Sequence, residues 1–280
     1  MSTHINSISC GQGAPSLYLI VMAGEKLFPC DLVVVADTGW ETDCLWSTGQ
    51  RTTAKDFFEC VTKPLANSYG IDAVMVRAQD RLGNKLQSIP FYQKLGDKVE
   101  IDIPLHGSRG GKLKQSCTSK WKIAAIRQEL RRRGATTATT ALGIHSGESH
   151  RLKDNDVQWQ RRSWPLLDVM DSDSGDGLKD MGIGKRLSRE MVVNEMIARG
   201  IPYLITTECD GCPHKDFSRW DRTSSDTINE LESFEASFAG EFFLTKHRVP
   251  LRQAILLMEE EERGKRGGLF DICDEGYCFV

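Results

Sequence analysis

The sequence predicts an α/β domain built on an open parallel sheet with flanking helices, followed by a helical, cysteine-containing C-terminal part. Three observations carry this. Leu32-Val-Val-Val-Ala36 is an unbroken β-branched run bounded by Asp31 and Asp37, the pattern of a strand buried on both faces. Shorter runs of strand length at residues 5–9 and 71–76 alternate with helical stretches. Such alternation sets strands side by side in parallel, joined by right-handed crossovers. The 280 residues, 40% of them hydrophobic, suffice to bury a full core.

In chain order, residues 5–9 read as a strand running into a Gly-rich turn, and residues 17–23 as a densely apolar helix. Residues 32–36 are the second strand. Residues 41–68 are expected as one long helix, with Thr38 and Glu41 as its capping box, a hydroxyl and a carboxylate three residues apart. Residues 71–76 are the third strand. Residues 79–115 are turn-rich and predict a loop with short strands. A helix over 121–133 stops at Gly134, and residues 139–146 read as a fourth strand. The Asp-, Ser- and Gly-rich residues 168–184 predict a mobile loop. Residues 188–199 form a helix stopped by Gly200 and Pro202. The remainder reads as helical up to a tail holding Cys273 and Cys278. The expected division is a nucleotide-binding domain at 1–168 and a C-terminal region at 169–280.

A formal net charge of -3 gives no general case for binding nucleic acid or membranes, so any such contact needs a local patch. No apolar run is long enough to span a bilayer. The opening Met-Ser-Thr-His-Ile-Asn lacks the features of a secretory signal. Nine cysteines without such a signal predict reduced thiols in a cytoplasmic protein rather than a disulfide framework.

Two turns carry the candidate chemistry. Ser9-Cys-Gly-Gln-Gly-Ala-Pro-Ser16 joins a strand to a helix; Gly11 and Gly13 let backbone approach a phosphate, and the helix start supplies N–H donors. The Ser16 hydroxyl would add another donor. Ala36-Asp-Thr-Gly-Trp-Glu41 leaves the second strand at the edge where ligands of open α/β sheets sit. There Asp37 and Trp40 would wall an adenosine pocket.

Together these turns resemble a branch of the PAPS-reductase-like proteins, within the adenine nucleotide α-hydrolase (PP-loop) superfamily. That branch carries Gly-Gly-Gly-x-Gln-Ser followed by Phe-Ala-Asp-Thr-Gly-Trp-Glu. Further segments are similar in the same order: Gln115-Ser-Cys-Thr-Ser-Lys-Trp-Lys-Ile123, Gly143-Ile-His-Ser-Gly-Glu-Ser-His-Arg151, Trp164-Pro-Leu-Leu-Asp168, Cys209-Asp-Gly-Cys-Pro213 and the tail from Leu269 to Cys278. The chain departs from the pattern at Gln12 (Gly), Pro15 (Gln), His145 (Ser) and Gly147 (acidic). The resemblance implies a PP-loop (HUP-type) fold binding ATP, or PAPS or APS, with Mg²⁺. It assigns nucleotide contacts to Ser9, Gly11, Gln12, Gly13, Ser16, Asp37, Thr38, Gly39 and Trp40, and catalytic roles to Ser16, Asp37, Glu148 and Arg151.

The pair Cys209 and Cys212 alone is ambiguous between a metal site and a redox pair. The resemblance adds Cys117 and a tail cysteine, Cys278 ahead of Cys273, as ligands of a [4Fe–4S] cluster, with zinc as the alternative. Lys120, Lys122, Arg127, Arg131, Arg132 and Arg133 share one helix with a single acid, Glu129. That imbalance predicts a surface for an anionic acceptor, nucleic acid included, with Lys120, Lys122 and Arg127 as substrate contacts. Three functions follow as alternatives: α-phosphate chemistry on ATP linked to sulfur transfer, reduction or sulfotransfer from PAPS or APS, and nucleotide binding without turnover. Homo-oligomerisation stays open.

Overall fold

The computed structural model describes residues 3–79, 83–86, 89, 92–95, 98–153, 157–172 and 177–265. The candidate ligand Cys278, with Cys273, lies outside them. The chain starts with β1 (His4–Ser9), crosses through α1 (Ala14–Gly24) and returns as β2 (Leu32–Asp37). Next come a hairpin of β3 (Cys44–Leu45) and β4 (Arg51–Thr52), then α2 (Ala54–Phe57), continued through a π-helical stretch (Phe58–Thr62) into α3 (Lys63–Ser68). β5 (Asp72–Arg77) follows, then three short strands, β6 (Tyr92–Leu95), β7 (Lys98–Ile101) and β8 (His106–Gly107). A second π-helical stretch (Thr118–Ile123) runs into α4 (Ala124–Arg132), and β9 (Thr137–Leu142) enters the sheet. A 3₁₀ turn (Ser146–Arg151) leads to β10 (Gln160–Trp164), β11 (Val169–Asp171) and β12 (Leu178–Asp180). The chain continues with α5 (Arg189–Ala198), α6 (Phe217–Asp221), α7 (Ser225–Ala236), β13 (Phe242–Phe243) and α8 (Leu251–Lys265).

Seven strands form the central sheet in the order β12-β11-β10-β9-β1-β2-β5. The five from β10 to β5 are parallel, and β11 and β12 extend one edge antiparallel. Side chains of β2 alternate between two cores, as the pleat requires. Val33 and Val35 pack under α1, α3 and α5, whereas Leu32 and Val34 meet Ile126 and Leu130 of α4. Central β1 carries polar residues that are satisfied inside the sheet: the buried Ser7 hydroxyl lies 3.0 Å from Thr140 Oγ1. A further core gathers Trp121, Trp220, Leu231 and Leu251 under α7 and α8.

Two expectations are corrected. Residues 41–52 are not helical. The helix starts at Ala54, where the Thr53 side chain accepts from Asp56 N at 3.1 Å and so performs the capping expected of Thr38 and Glu41. Thr38 Oγ1 instead accepts from Trp40 N, closing a local turn. Likewise, the described part of 168–184 is not a loop but contributes β11 and β12. Its acids serve the backbone: Asp168 accepts from Ile183 N and Gly184 N at 2.8 and 2.7 Å, and Asp171 from Arg162 N at 2.7 Å. Among the described residues, no helix is long and apolar enough to cross a membrane.

Candidate functional site

β1 has β2 on one side and β9 on the other, so the loops after β1 and β9 diverge and leave a crevice at the carboxyl edge of the sheet. A cavity of about 570 Å³ occupies it. The loop from Ser9 to Ser16 forms one wall, and Leu142 to His145 with Glu148 and Arg151 forms the next. Val35 and Ala36 of β2 with Ile126 of α4 supply an apolar patch. Arg189 and Val193 of α5, the 203–208 segment, and Arg219 with Arg222 complete it.

The first loop is held from beneath. Cys10 N donates to Val34 O at 2.9 Å, continuing the sheet by one residue. Gln12 adopts a left-handed φ of 64°, a conformation that glycine takes at no steric cost. Its side chain turns away from the cavity and is buried, donating to Ala54 O and accepting from Thr62 Oγ1, both at 3.0 Å. Leu204 N donates to Gln12 O at 3.0 Å, so a distant segment completes the loop. Pro15 sits in the first turn of α1, where its missing N–H costs least. The first helical bond is Leu17 N to Gly13 O at 3.0 Å, which leaves first-turn donors at the cavity. The Ser16 hydroxyl donates to Gly13 O at 3.1 Å, so it braces the loop rather than pointing outward as a donor. Burial pushes the neighbouring Cys10 thiol up to about 11.

The second wall is a linked set. The Gly147 N–H donates to His145 Nδ1 at 3.2 Å, which places the proton of the neutral ring on Nε2. Nε2 faces Glu148 Oε2 at 3.4 Å, and Glu148 Oε1 pairs with Arg151. A Cβ on residue 147 would lie 3.2 Å from the His145 ring, so Gly147 and His145 fit each other. His145 thereby orients Glu148, and Glu148 orients the guanidinium that lines the cavity. His145→Gln keeps an acceptor and a donor in the same places, whereas His145→Leu removes both. We expect the Leu variant to be about 1 kcal/mol less stable in thermal unfolding, and the Gln variant to stay nearer wild type. Equal stabilities in the two variants would reduce His145 to a space-filling residue.

The expected adenosine walls lie elsewhere: Asp37, Thr38, Gly39 and Trp40 are not among the residues lining the cavity. The Asp37 carboxylate accepts from Gly39 N at 2.8 Å and from Arg77 Nε at 3.0 Å. Trp40 packs edge-on against Phe234 at 5.7 Å, and Asp210 N donates to Trp40 O at 2.7 Å. This turn therefore braces the Cys209–Cys212 segment.

Of the helix cations, only Lys122 reaches the cavity. Lys120 pairs with Asp102 at 3.0 Å, and Arg127 donates to Gln160 at 2.8 Å beside a small cleft. Arg131 lies 3.8 Å over the Trp159 ring, Arg132 pairs with Glu129, and Arg133 with Glu129 and Asp72. The excess of positive charge read from this helix is thus met by its own Glu129 and by acids and acceptors from elsewhere in the chain.

Lys122 and Glu208 stand between the main cavity and a second one of about 20 Å³, lined by Cys117, Cys209, Cys212 and His214. Lys122 Nζ is 3.5 Å from Glu41 Oε1. Burial raises the Glu41 carboxyl, with Lys122 opposing and Asp210 adding to the rise. Burial likewise pushes the Cys209 thiol well up, against the pull of Lys122, and raises Cys117. Glu208 is 7% exposed, and its Oε1 has no hydrogen-bond partner among the described residues. Three of the expected ligands thus share one cavity. Among the described residues, however, no three His, Cys, Asp or Glu side chains converge closely enough to hold a metal ion.

No family model matches the chain, and no curated protein does. Sequence reasoning missed Arg189, Arg219 and Arg222; the spacing in Ser218-Arg-Trp-Asp-Arg222 was a visible signal for the last two, and Arg189 had none.

Proposed function

We propose that this chain binds ATP as its Mg²⁺ complex in the cavity between β1 and β9 and carries out chemistry at the α-phosphate. The observation that carries the reading is the meeting, in one cavity, of a Gly-containing loop at the start of α1 with Arg151 and Arg189. First-turn N–H groups and guanidinium groups both favour phosphate there. Val35, Ala36, Ile126 and Leu142 offer the apolar wall that an adenine ring needs. The resemblance to PAPS-reductase-like proteins supports an adenine nucleotide over others.

In this reading an acceptor oxygen attacks the α-phosphorus, the bond to the bridging β-oxygen breaks, and pyrophosphate leaves with the electron pair. The protein's part is to hold the phosphates in line and to stabilise charge that builds on the leaving oxygens. Arg151, aimed by Glu148, and Arg189 suit that role. A link to sulfur transfer would pass through the thiols beyond Lys122. These form no complete ligand set, and no step of the phosphate chemistry runs through them.

The test is calorimetric titration of the full chain with ATP, APS and PAPS, beside a pyrophosphate-release assay with candidate acceptors. Gly13→Val would set a branched side chain against Thr207, whose Cγ2 lies 3.2 Å from a Cβ built at residue 13, and on the loop's ligand face. ATP affinity should fall at least about tenfold. An unchanged affinity for all three nucleotides would remove the loop from the site. ATP binding without pyrophosphate release from any acceptor would leave a nucleotide-binding protein without turnover.

A further inference from the structure

The cations of the main cavity fall into two sets. Lys122 and Arg151 face carboxylates, Glu41 and Glu148. Arg219 meets one only at 3.9 Å, from Asp216, and Arg222 meets none among the described residues. They stand three residues apart, on α6 and at its C-terminal cap, a spacing that brings two side chains onto one face of a helical turn. Both line the cavity together with Ser218.

Among the described residues their surroundings supply a single, loosely held counter-charge, Asp216. The nearest carboxylate to Arg219 is Asp216, at 3.9 Å, beyond hydrogen-bond reach. That carboxylate is committed to the helix cap, accepting from Arg219 N at 3.0 Å and Ser218 Oγ at 2.9 Å. Arg222 offers its carbonyl to Arg51 Nη2 at 2.5 Å, which fixes its backbone, while its guanidinium has no partner among the described residues. Asp43, the next acid along, is taken by Arg51 and by Ser224 N, each at 2.7 Å. Two guanidinium groups that share one cavity with a single carboxylate between them leave positive charge over, and an oxyanion placed there would balance it.

The pair is also carried by a different part of the fold from the phosphate loop. Arg189 starts α5, which packs on α1, whereas α6 packs on α8 around Trp220. We infer that Arg219 and Arg222 form an oxyanion subsite for a second substrate, one carrying a carboxylate or a phosphate group, held in the same cavity as the nucleotide. Calling this substrate the second rests on the ATP reading above; the anion subsite itself does not.

The test uses the full chain and three probes, inorganic phosphate, sulfate and malonate, titrated calorimetrically with and without saturating α,β-methylene-ATP. Wild type should bind at least one anion while the nucleotide analogue is bound. Arg219→Gln/Arg222→Gln should weaken that anion at least about tenfold and change ATP affinity by less than about twofold. Arg222→Gln alone, at a more exposed position, should show the same direction if the double variant folds poorly. The ranking of phosphate against malonate assigns the group. Displacement of the anion by the analogue, or loss of ATP binding together with the anion, would hand the pair to the nucleotide and overturn the inference. So would unchanged anion affinity in both variants, or no binding of any probe by wild type at millimolar concentration. If wild type binds no nucleotide yet the anion is lost in the variants, the ATP reading fails and the subsite stands.

Discussion

Gly143→Val is expected to weaken the proposed ATP binding about tenfold to a hundredfold. A Cβ at this position would lie 2.8 Å from Ser16 N, 2.9 Å from Ser16 Cα and 3.0 Å from Pro15 C. These are backbone atoms in the first turn of α1, so no side-chain rotation can make room. The loop cannot retreat easily either, because Gln12 ties it to Ala54 and Thr62, and Leu204 closes it from the far side. Either the start of α1 or the end of β9 must shift, and both are walls of the cavity. Overpacking of this kind costs about 1–3 kcal/mol, and each 1.4 kcal/mol is about tenfold in affinity. Calorimetry with ATP, beside thermal unfolding of the same variant, separates lost binding from lost stability. Wild-type affinity in Gly143→Val would show that the two loops need not touch for the nucleotide to bind.

The largest stability effect should come from Trp121→Ala. Trp121 is 0% exposed and joins α4's leading turn to the core beneath α7 and α8. Its indole N–H donates to Asp102 Oδ2 at 2.7 Å. Removing it opens a large apolar cavity and takes one donor from a carboxylate that keeps Lys120 and Ser116. Such a deletion costs about 3–5 kcal/mol, or roughly 6–20 °C in melting temperature for a chain of this size. Trp121→Phe retains most of the volume and should lose only about 1–2 kcal/mol. Differential scanning calorimetry of both variants checks the ordering. A melting point for the alanine variant within a few degrees of wild type would mean that this core is not anchored at Trp121.

The strands that the sequence made readable are those whose environment is uniform. β2 is apolar throughout because both its faces are covered, and its residues say so. β11 and β12 were hidden because they lie at the sheet edge, where short strands tolerate Asp and Lys, and because Asp168 and Asp171 look like loop residues until their backbone partners are known. The residues 41–52 misled for a related reason: Thr38 and Glu41 have the spacing of a helix cap, yet both are occupied by contacts with the Cys209 segment. Charge was the least readable property. The acids that neutralise Lys120 and Arg133, Asp102 and Asp72, come from distant stretches of chain. Arg189 and Arg222, which meet no acid among the described residues, are not told apart from the paired cations by their own composition.

The bond from Leu204 N to Gln12 O sets an order of events during synthesis. The loop leaves the ribosome well before the strand-like segment that closes it, which emerges almost two hundred residues later. Until then Gln12 must hold its left-handed conformation through its side-chain contacts to Ala54 and Thr62. A nascent chain stalled short of Leu204 could assemble β1, β2 and β5, and still present an open loop. Completion of the cavity is thereby deferred until translation has passed the 203–208 segment, because closure over so long a separation is slow to form and absent from any fragment that lacks it.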